Sequence, residues 1–287
     1  MNRLIIITGA TGSGKTDLAI NLASRLGCDI ISADSRQMFR GLNIGTAPPS
    51  PEQLSKVRHH FVATLDLNCR YSAAQYEADV MKLLPNLFRQ NSTQVMCGGS
   101  MMYIDAVCKG IDDLPTISES VRSNVLDIYT RGGLQEIRGL LKALDPISYD
   151  KVDALNPRRN IHALEICLQA GRPCSELLTG QRKERDFAIE KYYIDMPREE
   201  LFDRINRRVD KMMEAGLLDE ARSVYHLRHL NSLNTVGYKE MFAYLDGTFD
   251  LDTAVSRMKK NTRVYAKKQL TWLKRDTSAL PFPSNGI

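Results

Sequence analysis

The sequence lacks several things that would each define a function class. No run of apolar residues approaches membrane-spanning length, and Asn2-Arg3 leads straight into the run Leu4-Ile5-Ile6-Ile7 with no secretory signal pattern. A soluble, cytoplasmic protein with no membrane partner is therefore expected. The six cysteines (Cys28, Cys69, Cys97, Cys108, Cys167 and Cys174) contain no C-x-x-C pair. That argues against a thiolate metal site and for buried free thiols in a reducing compartment. The adjacent His59 and His60 have no third ligand spaced near them and read as structural. Internal repeats and low-complexity tracts are also missing. What remains is ordinary globular composition: 287 residues, 43% hydrophobic, 25% charged, enough for one large domain or two modest ones. The net charge of +5 is a mild basic bias that suits a polyanionic partner.

One stretch carries chemistry on its own. Gly9-Ala10-Thr11-Gly12-Ser13-Gly14-Lys15-Thr16 fits G-x-x-x-x-G-K-[ST] and follows a β-branched strand. The glycines let backbone N–H groups turn inward around phosphate, Lys15 supplies a point charge, and Thr16 offers a hydroxyl to Mg²⁺. An apolar-periodic helix (Leu18, Ala19, Leu22, Ala23, Leu26) follows, as the motif requires. P-loop nucleotidases usually add a strand ending in Asp that holds the metal through water. Here Val95-Met96-Cys97 ends in Gly98-Gly99-Ser100 and offers no carboxylate, whereas Ile30-Ile31-Ser32-Ala33 ends in Asp34. Asp34 either tunes the metal, as in a small-molecule or nucleotide kinase, or acts as a base on an acceptor beside the phosphates. Ser35, Arg36 and Gln37 make a polar edge suited to reading a nucleobase. Whether ATP enters the loop stays open.

The rest of the chain reads as a P-loop NTPase-like α/β core, a parallel sheet flanked by helices, with an all-helical insertion. The core covers 1–115 and resumes over 181–287; the insertion covers 116–180. Within the insertion, Ser118 opens a helix closed at Gly132-Gly133, Leu134 to Leu144 forms a second, and Asn156-Pro157 starts a third that Gly171 ends. Lys191 to Met196 is expected as a strand ended by Pro197. A helix with Arg204, Arg207 and Arg208 follows, and the tail from Pro281 to Gly286 is expected to be loose. The helix from Leu251 to Leu273 carries the largest local charge asymmetry, with no acidic residue from Thr253 through Arg275. Tyr265 and Trp272, interleaved with its cations, point to a nucleic-acid surface. Tyr71 and Tyr76 read as capping and core aromatics.

Taken in order, the motifs resemble those of the tRNA dimethylallyltransferases (tRNA isopentenyltransferases) over nearly the whole chain. The tokens are Gly9 to Thr16, Asp34-Ser35-Arg36-Gln37-Met38-Phe39-Arg40, Asn43-Ile44-Gly45-Thr46-Ala47-Pro48, His59-His60-Phe61 and Gly98-Gly99-Ser100. Tyr71-Ser72, Leu114-Pro115, Arg159 to Glu165, Gly237-Tyr238-Lys239-Glu240 and Tyr265-Ala266-Lys267-Lys268-Gln269-Leu270-Thr271-Trp272 complete the set. The resemblance implies transfer of a dimethylallyl group from its diphosphate to N6 of the adenosine 3′-adjacent to the anticodon of tRNA, by a monomeric, Mg²⁺-dependent enzyme. Asp34 would accept the N6 proton, Ser100 would hydrogen-bond the transfer region, and Arg208, or else Arg204, would add a cation for the diphosphate. Asp34 to Gln37, Ser100, Arg122, Arg158, Arg159, Asn160, Ile161, His162, Lys267 and Lys268 would contact tRNA. Five positions depart from the family pattern: Ser100 for Thr, Met101-Met102 for Gly-Leu, Phe39 for Tyr and His162 for Arg.

Overall fold

The computed structural model describes residues 1–283. The chain divides into two compact units, one built from residues 1–109 and the chain from Glu184 onward, the other from Gly110–Lys183. The first unit opens with β1 (Arg3–Thr8), whose Leu4 to Ile7 are wholly buried. Burial on both faces is what a central parallel strand requires, and it explains the unbroken apolar run. Then come α1 (Lys15–Leu26), β2 (Ile30–Ser32), α2 (Pro51–Lys56), β3 (His59–His60), α3 (Ala73–Gln90), β4 (Thr93–Gly98) and α4 (Met101–Lys109). Alternation along β1 assigns its two faces. Ile5 and Ile7 pack with Ala19, Ile20, Leu22 and Ala23 of α1, whereas Leu4 and Ile6 pack with Tyr76, Val80 and Leu84 of α3 and Ile104 of α4. Tyr76 is buried, donates to Ser32 O at 2.8 Å and stacks on Tyr103, which fits its reading as a core aromatic.

The second unit is helical: α5 (Glu119–Leu144), α6 (Pro146–Lys151), α7 (Pro157–Ala170) and α8 (Cys174–Leu177). Gly133 leaves helical geometry (φ 66°, ψ −160°), so α5 is two helices meeting at a kink where the Gly-Gly pair stands. Asn156 caps α7 with Pro157 at its first position, and Gly171 ends it in the left-handed region. Val125, Ile137 and Leu164 form one core patch; Leu141, Ala163, Ile166, Cys167 and Cys174 form another.

The chain re-enters the first unit at β5 (Ala188–Tyr193), continues through α9 (Arg198–Glu214), α10 (Leu217–Ser223), α11 (Tyr238–Leu245) and α12 (Leu251–Arg275), and ends its described part with β6 (Ala279–Pro281). The sheet has the order β3-β2-β4-β1-β5-β6, and every pair is parallel. A second apolar cluster, around Leu42, Val209, Leu217, Leu233, Tyr238 and Met241, joins α9 to α12 with the loop after β2.

Two expectations need correction. The fifth strand spans Ala188–Tyr193, not Lys191 to Met196. Its charged residues conceal it, because Glu190 pairs with Arg3 and Lys191 with Asp276. The tail is ordered as far as it is described. Ala279–Pro281 forms a strand on β5, Phe282 N–H donates to Tyr193 O at 2.9 Å, and its ring meets Tyr192 edge-on. The expectation for residues 284–286 lies outside the described residues. Among those described, no helix is long and apolar enough to cross a membrane.

Lys191 and Asp276 close the sheet against the end of α12, with side chains only 3% and 7% exposed. Burial pushes the Asp276 carboxyl up, but its bonds to Lys191 and Ser278 outweigh this and hold it below its ordinary value. A lowered folded pKa gives stability above the unfolded pKa that is lost as pH falls through the folded one. Asp276→Asn should therefore cost about 3 kcal/mol near neutral pH, because it strands a buried ammonium. In urea denaturation the gap to the parent should narrow as pH drops below about 4.

Candidate active site

The phosphate loop forms where β1 stops at Thr8. Gly12 and Gly14 take φ of 85° and 89°, a region that disfavours side chains, and Gly14 leads directly into α1. The first turn of α1 therefore points its N–H groups at the loop, which favours an anion. Lys15 reaches across the loop to Ala10 O at 3.3 Å. Burial lowers its pKa, while Cys97 and Asp34 act to raise it and Arg208 to lower it further. Ser13 Oγ is buried with no hydrogen-bond partner among the described residues. Thr16 lines the same cleft. An orphaned hydroxyl beside a lysine and a helix N-terminus fits phosphate oxygens, and the Thr16 hydroxyl fits Mg²⁺ shared with them.

Asp34 enters the cleft from the end of β2. Its Oδ1 accepts from Arg36 N–H at 2.9 Å and Gln37 N–H at 3.3 Å, so the carboxylate caps its own turn while its other oxygen is unbonded among the described residues. Arg208 reaches the cleft from α9; burial lowers its pKa and Asp34 pulls it back up. Arg204, one turn earlier, pairs with Glu200 at 2.9 Å on the exposed side and does not line the cleft. Its guanidinium nevertheless comes within 3.6 Å of where a Cβ on Gly14 would stand.

Ser100 ties the two strand ends together. Its N–H donates to Ala33 O at 3.1 Å, its Oγ accepts from Ser35 N–H at 2.8 Å, and it donates to Ser35 Oγ at 3.1 Å. A serine does this as well as a threonine would, since only the hydroxyl is used.

The edge expected to read a base is largely engaged inside the protein. The Arg36 guanidinium donates to the carbonyls of Asn231 (2.8 Å), Ser232 (3.2 Å) and Asn234 (3.5 Å). Gln37 Nε2 donates to Ala47 O (2.9 Å) and Thr46 O (3.3 Å), while Gln37 still lines the cleft. These donors hold loops in place, and a guanidinium fork already filled by carbonyls is not free for a base.

On α12, Lys267 and Lys268 are exposed, and Tyr265 and Gln269 face the cleft. Burial raises the Tyr265 hydroxyl to about 12. On α7, Arg158, Arg159 and His162 are exposed. Arg122 and His162 each meet the buried Glu165 at 3.3 Å. Asn160 is a correction to the expected RNA contacts, and Ile161 is only half-exposed. Asn160 is wholly buried, donates to Asp153 O and Asn156 O and accepts from Arg138, while Ile161 packs on the Val125 patch. At 3.6 residues per turn, the face holding 160, 163 and 164 turns inward and leaves 158, 159 and 162 outside. Phe39 is a core residue, so a missing hydroxyl there costs no bond in this chain.

Sequence reasoning missed the support of the cleft's outer wall. Glu220 on α10 accepts from the N–H groups of Asn43, Ile44 and Gly45 at 2.7–2.9 Å and from Tyr238 OH at 2.6 Å. A Cβ on Gly45 would meet the Tyr238 ring at 2.7 Å, so the glycine lets this loop lie flat. The same loop continues into Thr46 and Ala47, which line the cleft. Nothing local in Glu220 signals a partner 175 residues away. Glu220→Ala leaves four donors without an acceptor and should cost about 3 kcal/mol in a denaturant melt. An unchanged midpoint would mean water replaces the carboxylate.

The IPP transferase family model matches residues 37–276. The chain is 53% identical to tRNA dimethylallyltransferase 1 of Phocaeicola vulgatus over 279 residues, covering 97% of this chain and 93% of that protein. It is 55% identical to tRNA dimethylallyltransferase 1 of Bacteroides fragilis over 273 residues, covering 95% and 91%. Among solved structures it is similar to the full-length tRNA isopentenylpyrophosphate transferase of Bacillus halodurans, with TM-score 0.71, 34% identity, and coverage of 98% of this chain and 90% of that one. It also resembles a eukaryotic dimethylallyltransferase captured acting on tRNA, with TM-score 0.83, 26% identity, and coverage of 98% and 74%.

Proposed function

Because this chain belongs to the IPP transferase family, we propose that it transfers the dimethylallyl group of dimethylallyl diphosphate to N6 of the adenosine 3′-adjacent to the anticodon of tRNA. The observation that carries this reading is a phosphate cradle and a half-free carboxylate, Asp34, opening into one cleft. In the reaction the N6 lone pair forms a bond to the allylic C1, the C1–O bond breaks, and the bonding pair leaves with diphosphate. The N6 proton passes to Asp34. Delocalisation of the N6 lone pair into the ring makes the amine a poor nucleophile, so proton removal and an ionisable allylic carbon lower the barrier together.

Lys15, Arg208, the loop amides and the Ser13 hydroxyl would stabilise the negative charge that develops on the leaving diphosphate. Mg²⁺, held by Thr16 with diphosphate oxygens, would supply further charge neutralisation. Desolvation suits Lys15 and Arg208 to this task, because buried cations gain most from a polyanion. Ser100 acts as a positioning group through Ser35. The target base would have to leave the anticodon-loop stack, at a cost of a few kcal/mol offset by backbone contacts from Lys267, Lys268, Arg158, Arg159, Arg122 and His162. As part of this reading the enzyme works as a monomer in the cytoplasm. The kinase alternative leaves the cations of α12 without a role.

Incubation with unmodified tRNA, Mg²⁺ and radiolabelled dimethylallyl diphosphate tests the proposal; absence of label on the RNA would sink it. Asp34→Asn should lower kcat by roughly 10²–10⁴ with little change in diphosphate binding. Lys15→Ala should lower kcat by about 10²–10³. For the basic helix, a Lys267→Ala, Lys268→Ala double variant should flatten the log–log salt dependence of tRNA binding by about 1.5. An unchanged slope would make those lysines a merely solvated face.

A further inference from the structure

Among the described residues, Gln269 is the α12 side chain that bridges both walls of the cleft. It is 3% exposed, and its amide is used in both senses. Oε1 accepts from the Thr11 N–H of the phosphate loop at 2.7 Å, and Nε2 donates to Gly99 O at 2.8 Å. A Cβ on Gly99 would lie 2.3 Å from Nε2, so that glycine makes room for the amide. Thr11 belongs to the element that cradles the diphosphate. Gly99 precedes Ser100, which holds Ser35 by two hydrogen bonds next to Asp34.

From this we propose that Gln269 is a positioning residue that fixes the separation between the diphosphate cradle and the acceptor side of the cleft, an inference that rests on the prenyl-transfer reading above. In-line displacement at carbon needs the nucleophile within about 3–3.5 Å of the reacting carbon. The leaving group is fixed by the loop after β1, and the acceptor is approached from the turns after β2 and β4. No side chain of the loop itself spans that gap in the described hydrogen bonds; the amide from α12 does. The residue on its exposed flank, Lys268, is one of the cations assigned to tRNA, so RNA seated on α12 would bear on the element that sets the spacing.

The chemistry of the clamp gives a test that separates positioning from stability. Gln269→Glu is nearly isosteric and keeps the acceptor for Thr11, but an ionised carboxylate cannot donate to Gly99 O and repels it. Gln269→Met removes both bonds. Assayed as full chains with tRNA and dimethylallyl diphosphate, both variants should lose roughly 100-fold in kcat. For Gln269→Met, which adds no charge beside the cradle, KM for dimethylallyl diphosphate and Kd for inorganic diphosphate should stay within about threefold. A carboxyl buried against a carbonyl titrates above its usual value of about 4.3. Once protonated it can donate, so kcat of Gln269→Glu relative to wild type should rise at least about fivefold as pH falls from 7.5 to 5.5.

A kcat within twofold of wild type overturns the proposal. So does a ratio that stays flat with pH, or a loss in Gln269→Met that appears as raised Kd for inorganic diphosphate. Should Gln269→Met fail to fold, the near-isosteric Glu variant and its pH profile decide alone. A wild-type chain that labels no tRNA overturns the functional reading and this inference together, whereas active wild type with indifferent variants overturns only the inference.

Discussion

The close approach of β4 to β2 at their carboxyl ends is the constraint on which the site depends. A Cβ on Gly98 would stand 2.1 Å from Ala33 O, so only glycine lets the two strand ends meet. That contact lets Ser100 N–H reach Ala33 O and lets Ser100 Oγ hold Ser35. Asp34 lies between those two anchored residues, and its direction follows from them. A parallel sheet delivers strand ends to one edge but does not fix the side chains there to within a few tenths of an ångström. Here the glycine and the two serines do that.

Around this anchor the protein gathers unlike charges in one cleft. Lys15 and Arg208 are both lowered by burial, and both feel the opposing pull of Asp34. Burial leaves each cation only partly compensated, and Ser13 Oγ has no hydrogen-bond partner among the described residues. Such an arrangement costs stability in the free protein and favours a polyanion when one enters. It also explains why the surrounding loops are tied so heavily. Glu220 holds three backbone N–H groups of the outer wall, Arg36 holds three carbonyls, and Gln37 holds two more. Polar residues that looked like substrate readers are thus mainly the fasteners of the cleft.

The cations of α12 and α7 follow a different logic. Lys267, Lys268, Arg158, Arg159 and His162 sit on exposed faces, while Gln269, Asn160 and Glu165 sit on the buried faces of the same helices. A helix separates the two roles by its period, and motif matching without that period mixes them. Asn160, on the inward face, holds the helical unit together, whereas its neighbours Arg158, Arg159 and His162 face outward.

The sequence by itself determined what local rules encode. The phosphate loop needs its glycines and its Lys-Thr pair in eight consecutive residues, the helices of the second unit carry their caps at Ser118, Asn156 and Gly171, and β1 and β4 declare themselves by unbroken apolar runs. It also determined the family, because several short motifs occur in fixed order. Only the tertiary structure decided which polar residues are free to act. Whether Arg36, Gln37, Asn160 or Gln269 faces a ligand or a backbone carbonyl depends on partners up to 258 residues away. It decided, too, that Arg208 enters the cleft and Arg204 turns to Glu200, and that charged β5 and the chain end at Ala279–Pro281 join the sheet. Hydrogen-bonding capacity is a property of the residue, but what satisfies it is a property of the fold.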